Sequence, residues 1–423
     1  LKYSVSLENK KISGLETDLS YIGLENIEPW TGQFVQPGEP LLSDGQSTRF
    51  NLGDVLFGKL RPYLAKALRA QSPGICSSEL LVLRPVDVTS DFLLNYILNR
   101  DFIQAVDAST YGTKMPRANW EFIGNLPMLI PPLPEQHAIA GFLDRQTTKI
   151  DTLVAKRQAL IEKLKEKRTA LISQTVTRGL PPDAARVAGL DPHPPLKPSG
   201  VEWLGDSPEL WEVKRLKHIG SVRYGLGEPP EYANDGLPFI RATDINRGKI
   251  DLGTVKRVNP DDVPWSRNPE LKLNEILIVR SGAYTGDSAI VTPDVAGCIA
   301  GYDMVLSING AHPQFIAWVL LSKYMLQGQI YIERLRAAQQ HLNADELGRF
   351  VVLVPPLPEQ RAIAMFLDQE TAKIDRMVSL EEAVIERQQE YRSALITAAV
   401  TGKIDVRGFS HEHGTGSVRS AEA

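Results

Sequence analysis

The sequence predicts an α/β protein made of two similar units. Each unit is an α/β domain followed by one long helix, and the two helices pack on each other in a pseudo-twofold arrangement. Three observations predict this. First, "PPLPEQHAIAGFLDRQTTKID" begins at Pro131 and "PPLPEQRAIAMFLDQETAKID" begins at Pro355, 224 residues later. About half the positions match over the fifty residues that follow each start. Such a period is far too long for a solenoid, so it marks two copies of one large unit. Second, both copies carry an apolar row of period 3.5. Third, the regions before them share an order of short β-like runs and one helical pattern.

Residues 1–133 form the first domain. "GDVLFGKLRPYLAKALRA" reads as strand, turn, strand, and "ELLVLRP" as another strand. "SDFLLNYILNRDFIQAV" has helical spacing, with Ser90 or Asp91 as its cap. The first long helix is expected over 134–178. It opens on Pro134, a tolerated position, and stops at Gly179 and the following prolines. Its heptad columns place Ile139, Leu143, Ile150, Leu153, Leu160, Leu164 and Leu171 on one seam. Residues 179–199, rich in proline, form a semi-extended linker.

The second domain spans 200–356. "NEILIVRSGAYTGDSAIV" reads as strand, loop, strand, and "HPQFIAWVLLSKYM" as a helix with Pro313 near its start. The second long helix, 357–404, has its seam at Ile363, Leu367, Ile374, Met377, Val384, Tyr391 and Leu395. Polar breaks at 146/370 and 157/381 recur in both copies. A seam of this period belongs to a coiled coil rather than to a helix lying on a sheet. The alternative is that each helix packs only on its own domain. Residues 405–423 are polar and read as a disordered tail, so His411 and His413 read as solvated rather than metal-binding.

Composition narrows the function classes. The net charge of −4 does not advertise a nucleic-acid binder, so any such binding rests on local basic patches. Two distant cysteines make no disulfide framework, and both read as small core residues of a protein in a reducing cytoplasm. No apolar run approaches the roughly 20 residues of a membrane span, and LKYSVSLENK lacks the apolar core of a signal peptide. The chain does not begin with Met, and its true start is expected to be missing. Catalytic motifs are absent. There is no P-loop and no H-E-x-x-H. "NPDD" at Asn259 and "NPEL" at Asn268 do not match the Asn/Asp-Pro-Pro-aromatic motif of an adenine-N6 methyltransferase, and "GLGEPP" at Gly225 reads as a turn.

The twin "PPLPEQ-AIA-FLD" helices, "SGVEWLGDSPELWEVKRLKHI" and "GDVLFGKLRPYLAK" resemble the specificity subunit of Type I restriction-modification enzymes. The resemblance covers nearly the whole chain. It implies two target-recognition domains, each reading half of a bipartite asymmetric DNA site. It implies that the repeated helices form an antiparallel coiled coil and dock two copies of an adenine-N6 methyltransferase subunit, with restriction subunits joining. S-adenosylmethionine, ATP and Mg are then expected only on those partners, with no cofactor, metal or membrane for this chain. Leu1-Lys2-Tyr3 resembles Leu216-Lys217-His218, so a counterpart of "SGVEWLGDSPELWEVKR" is missing from the first unit. A non-catalytic coiled-coil scaffold with two protein-binding domains is the competing reading, weakly favoured by the net acidity.

Candidate DNA contacts follow from donor chemistry, since Arg, Lys, Asn and Gln read base edges while other donors hold phosphates. In the first domain they are Lys59, Arg61, Lys66 and Arg69 around Tyr63, with Tyr111, Thr113, Lys114, Arg117 and Asn119 on a loop. In the second they are Arg241, Asn246, Arg247, Lys249, Arg280, Ser281, Tyr284, Thr285, Arg334, Arg336, Gln339, Gln340 and Asn343. The first helix is basic, with eight Lys and Arg against four Asp and Glu from Asp144 to Arg168, which reads as a solvated face. "PPLPEQ" is a rigid elbow or part of a docking surface; its prolines favour the elbow.

Overall fold

The structure is a computed structural model that describes every residue except 14–18, 37–45, 113, 203, 337–340 and 407–423. The tail histidines, Thr113, Gln339 and Gln340 lie outside the described residues. The chain forms two units, Leu1–Gln158 with Glu381–Ala423, and Ala159–Leu380. Each takes part of both long helices, Leu133–Arg178 and Leu357–Val400.

In unit 1 an antiparallel sheet runs in the order Val5–Glu8, Leu80–Pro85, Val55–Gly58, Ala67–Arg69. All four residues of Val55–Gly58 are buried, as a central strand requires. The preceding carboxylate, Asp54, is buried too. It accepts from Asn51 N at 2.7 Å and from both arms of the Arg84 fork at 3.0 Å. The helical stretch is two helices, Ser90–Ile97 and Arg100–Ala108, rather than one. Thr89, not Ser90 or Asp91, caps the first, and Asn99 restarts the second by accepting from Phe102 N at 2.9 Å. A second sheet, order Lys11–Ser13, Gln46–Phe50, Gly74–Cys76, Tyr21–Ile22, ends on a parallel pair.

Unit 2 repeats the plan. Its sheet order is Gly220–Tyr224, Met304–Ile308, Ile276–Ile278, Ser288–Ile290, all antiparallel. Glu275 takes the place of Asp54, accepting from Lys272 N at 2.9 Å and from the Arg223 fork at 3.0 and 2.9 Å. A smaller sheet again ends on a parallel pair, Tyr232–Ile240 with Ile299–Ala300. The linker is less extended than expected, because Pro182 starts a short helix to Val187. Both cysteines are buried, and burial pushes the Cys76 thiol up to about 12.

The repeated motif has one structural job in both units. Gln136 and Gln360 are almost fully buried at the helix starts. Gln136 Oε1 accepts from Thr89 N at 2.8 Å while its amide donates to Pro131 O at 2.9 Å. Gln360 Oε1 accepts from His312 N at 2.7 Å while its amide donates to Pro355 O at 2.7 Å. Each glutamine thus latches the long helix to the N-cap of a domain helix, as an elbow would require.

Within unit 1 the long helices run antiparallel, since Asp151 pairs with Arg392 and Arg157 with Glu381. Ile139, Phe142 and Leu143 of the first share a core with Ile396, Ala399 and Val400 of the second. In unit 2 Ile172 and Val176 share a core with Ile363, Ala364 and Leu367, and Arg168 pairs with Asp375. One of the two columns of the seam is turned by one residue from the expected one along the middle of the helices. Leu153, Leu160, Met377 and Tyr391 are 46, 43, 42 and 61 % exposed. Val154, Ile161, Val378 and Arg392 occupy the protected row instead, while Val384 and Ile385 are both half-buried. Ile150, Leu164, Leu171, Ile374 and Leu395 keep buried or half-buried places. The cause is a set of apolar doublets, Leu153-Val154, Leu160-Ile161, Met377-Val378 and Val384-Ile385, which fit either register. The adopted one brings Arg168 and Arg392 to Asp375 and Asp151.

Candidate nucleic-acid interface

In each unit the strand-end loop and the segment before the long helix meet edge to edge. In unit 1, Arg61 N donates to Pro116 O at 2.8 Å, Ala118 N donates to Lys59 O at 2.9 Å, and Leu60 bridges Arg117. In unit 2, Leu342 N donates to Arg280 O at 2.8 Å and Ser281 bridges His341. Candidates far apart in sequence are therefore side by side in both domains.

Many of the cations already have protein partners. The Arg117 fork holds Glu79 at 3.1 and 3.2 Å, and the Arg241 fork holds buried Asp244 at 3.1 and 2.9 Å. Arg69 pairs with Asp91, Lys66 donates to Leu24 O at 2.6 Å, and Lys249 reaches Asp375 at 2.7 Å. Asn119 and Asn343 cap short helices, each accepting a backbone N–H at 2.9 Å, from Phe122 and Glu346. Thr285 is 4 % exposed and turns its hydroxyl to Gly282 O at 2.7 Å, so it presents no surface and is corrected to a loop-stabilising residue. Arg61, Tyr111, Lys114, Asn246, Arg247 and Tyr284 are exposed, while Lys59, Ser281 and Arg334 are half-buried. Arg247 stands at the tip of the Ile245–Asn246/Lys249–Ile250 hairpin with φ of 41°, and Gly248 beside it has 96°. Arg336 ends the helix Tyr331–Arg336.

Arg280 is held most distinctively. Its guanidinium lies between the rings of Tyr224 and Tyr302, 4.6 and 4.3 Å from their centroids. One arm lies within hydrogen-bond distance of His341 Nε2, at 2.9 Å. Tyr224 is in turn fixed by accepting from Ala344 N at 2.9 Å. The sequence reading missed Tyr224, Tyr302 and His341, because they come from three separate segments and carry no local signal. It also missed an open groove of about 360 Å³ in unit 2, lined by Tyr232, Ala233, Asn234, Val255, Lys256 and Arg257.

Asp303 lies beneath this cluster, buried, with Oδ1 accepting from Arg280 N at 3.1 Å and Oδ2 without a hydrogen-bond partner among the described residues. Burial pushes its carboxyl up from 3.8 to about 6. The folded state then binds a proton that the unfolded chain has released, so stability falls as pH rises from about 4 to about 6. Asp303→Asn is expected to match the wild type near pH 4 and to exceed it by at most about 3 kcal/mol near pH 7. Urea unfolding at both pH values checks this; equal pH dependence in the two proteins would contradict it.

No helix among the described residues is long and apolar enough to cross a membrane, and no cluster there has the composition of a metal site. The family described as the Type I restriction modification DNA specificity domain matches residues 44–163 and 208–387. The chain is 24 % identical over 316 residues to the Type I restriction enzyme EcoBI specificity subunit of Escherichia coli, a match covering 72 % of this chain and 64 % of that one. It is 23 % identical over 380 residues to the Type I restriction enzyme MjaVIII specificity subunit of Methanocaldococcus jannaschii, covering 88 and 80 %. A solved structure concerned with complex assembly and conformational transition of the type I R-M system superposes with a TM-score of 0.68 at 18 % identity, over 95 % of this chain and 96 % of that one.

Proposed function

From the premise that the chain belongs to the Type I restriction modification DNA specificity family, we propose that it is the non-catalytic, DNA-reading subunit of a cytoplasmic methyltransferase and endonuclease complex. Each domain reads one half of a bipartite double-stranded site. The observation that carries this reading is one plan with two different edges. At equivalent places unit 1 presents Lys59 beside an Arg117 fork closed by Glu79, and unit 2 presents Arg280 between two tyrosines. Equal scaffolds with unequal donors suit unequal half-sites. Arg280 is the leading base-reading group, because a planar fork held in place loses little freedom on meeting a base edge.

Partner docking falls to the outward residues of the helix doublets. Leu153 and Met377 are exposed counterparts, one in each copy. Exposed apolar side chains repeated in this way suit two copies of one partner, here the methyltransferase subunit. Restriction subunits join that assembly, and S-adenosylmethionine, ATP and Mg belong to the partners.

The test combines the chain with methyltransferase subunits and maps methylated adenines in a random DNA library. Two half-sites at a fixed gap are expected, with affinity falling steeply with salt as counterions are released. Methylation by the chain alone would refute a non-catalytic role. A flat dependence of log affinity on log salt would instead support a protein-binding scaffold.

A further inference from the structure

The ion pairs between the two long helices follow the repeat. In unit 2 Arg168 Nε donates to Asp375 Oδ1 at 3.0 Å, and in unit 1 Arg392 Nε donates to Asp151 Oδ1 at 2.8 Å. These are one contact made twice, since Arg392 and Asp375 stand 224 residues after Arg168 and Asp151. The third pair, Arg157 with Glu381, is of another kind, because its two members are themselves counterparts. Exchanging the copies maps this contact onto itself. It is the place where each helix meets its own position in the other copy, and there the copies carry opposite charges.

Consider the competing arrangement, in which the first helix pairs antiparallel with the first helix of a second chain, and second with second. Arg168 would still find Asp151, and Arg392 would still find Asp375, because both copies carry the same residues at these positions. The isoleucines at 150, 161 and 172 recur at 374, 385 and 396, so the apolar row would be reproduced except where Leu164 is matched by Gln388. Among these three ion pairs, only the self-facing one changes. Arg157 would meet another Arg157, and Glu381 another Glu381.

We propose that the Arg157–Glu381 pair is the partner-selecting contact of this coiled coil, making each long helix accept the other copy and reject a second copy of itself. Charge at a helix–helix seam sets partner choice by penalising the wrong pairing as much as by favouring the right one. The side chains are only 33 and 23 % exposed, so like charges brought together here are screened less than at an open surface. The consequence is one chain holding two unlike domains rather than two chains holding like ones. The inference rests on helix contacts alone and stands whatever the domains read.

The experiment is a charge-reversal cycle on the full chain: Arg157→Glu, Glu381→Arg, and both together. Thermal unfolding is followed at low salt and at high salt. Each single reversal is expected to lower the midpoint by roughly 3–6 °C at low salt, and the double reversal to regain at least half of the summed loss. High salt should shrink the difference. A double reversal that loses the sum of the two singles overturns the proposal, as does a single reversal as stable as the wild type. If a reversal fails to fold, Arg157→Gln and Glu381→Gln run the same cycle at smaller amplitude.

Discussion

Arg392→Ala is expected to destabilise unit 1 by about 3 kcal/mol, near the lower end for breaking a buried ion pair. The arginine is buried, and its fork joins three segments. It donates to Asp151 at 2.8 and 3.3 Å, to Trp30 O at 2.8 Å and to Thr31 O at 3.3 Å. Truncation leaves one carboxylate and two carbonyls without their donor. Arg392→Lys should recover only part of the loss, because an ammonium cannot reproduce the fork. The counterpart Arg168→Ala should lose less. Its partner Asp375 keeps Lys249 at 2.7 Å, and among the described residues no loop carbonyl accepts from the Arg168 side chain. Denaturant unfolding of the three variants ranks them. A loss for Arg168→Ala as large as for Arg392→Ala would mean that the contacts to the 30–31 loop contribute no more than the stacking of Arg168 on Trp318, 5.7 Å from the ring centroid.

Arg280→Ala is expected to lower methylation of the target site by the reconstituted complex about 10- to 100-fold, the range set by one bidentate base contact. The loss should appear as relaxed preference at one base of one half-site, with the other half-site unchanged. Arg280→Lys should keep some rate and lose the preference, since it retains charge without the planar fork. Arg117→Ala should change base preference far less, because that fork is already closed by Glu79. Sequencing of methylated adenines separates these outcomes. A uniform fall across all sequences would place Arg280 on a phosphate instead.

The individual contacts were less legible in the sequence than the frame that holds them. Arg117 and Arg241 are donors of the right chemistry, yet Glu79 and Asp244 already engage them, and Asn343 is fixed as a helix cap through its Oδ1, which accepts from Glu346 N. Glu79 lies 38 residues from Arg117, so no local pattern announces that pairing. The Arg280 sandwich likewise joins Tyr224, Tyr302 and His341 from distant segments. The "PPLPEQ" elbow was visible as a repeat, but the buried glutamine latch within it was not.

By itself the sequence determined that there are two copies, that each ends in a long helix, and that strand and helix follow in the same order in each. Repetition and periodicity are local properties, and local patterns specify them. Tertiary structure alone decided which member of the doublets Leu153-Val154, Leu160-Ile161 and Met377-Val378 faces inward and which cation keeps a free edge. Leu153 and Val154 are equally apolar, and the register adopted is the one in which Arg168 and Arg392 reach carboxylates on the facing helix. A donor's availability depends in the same way on what folding brings beside it.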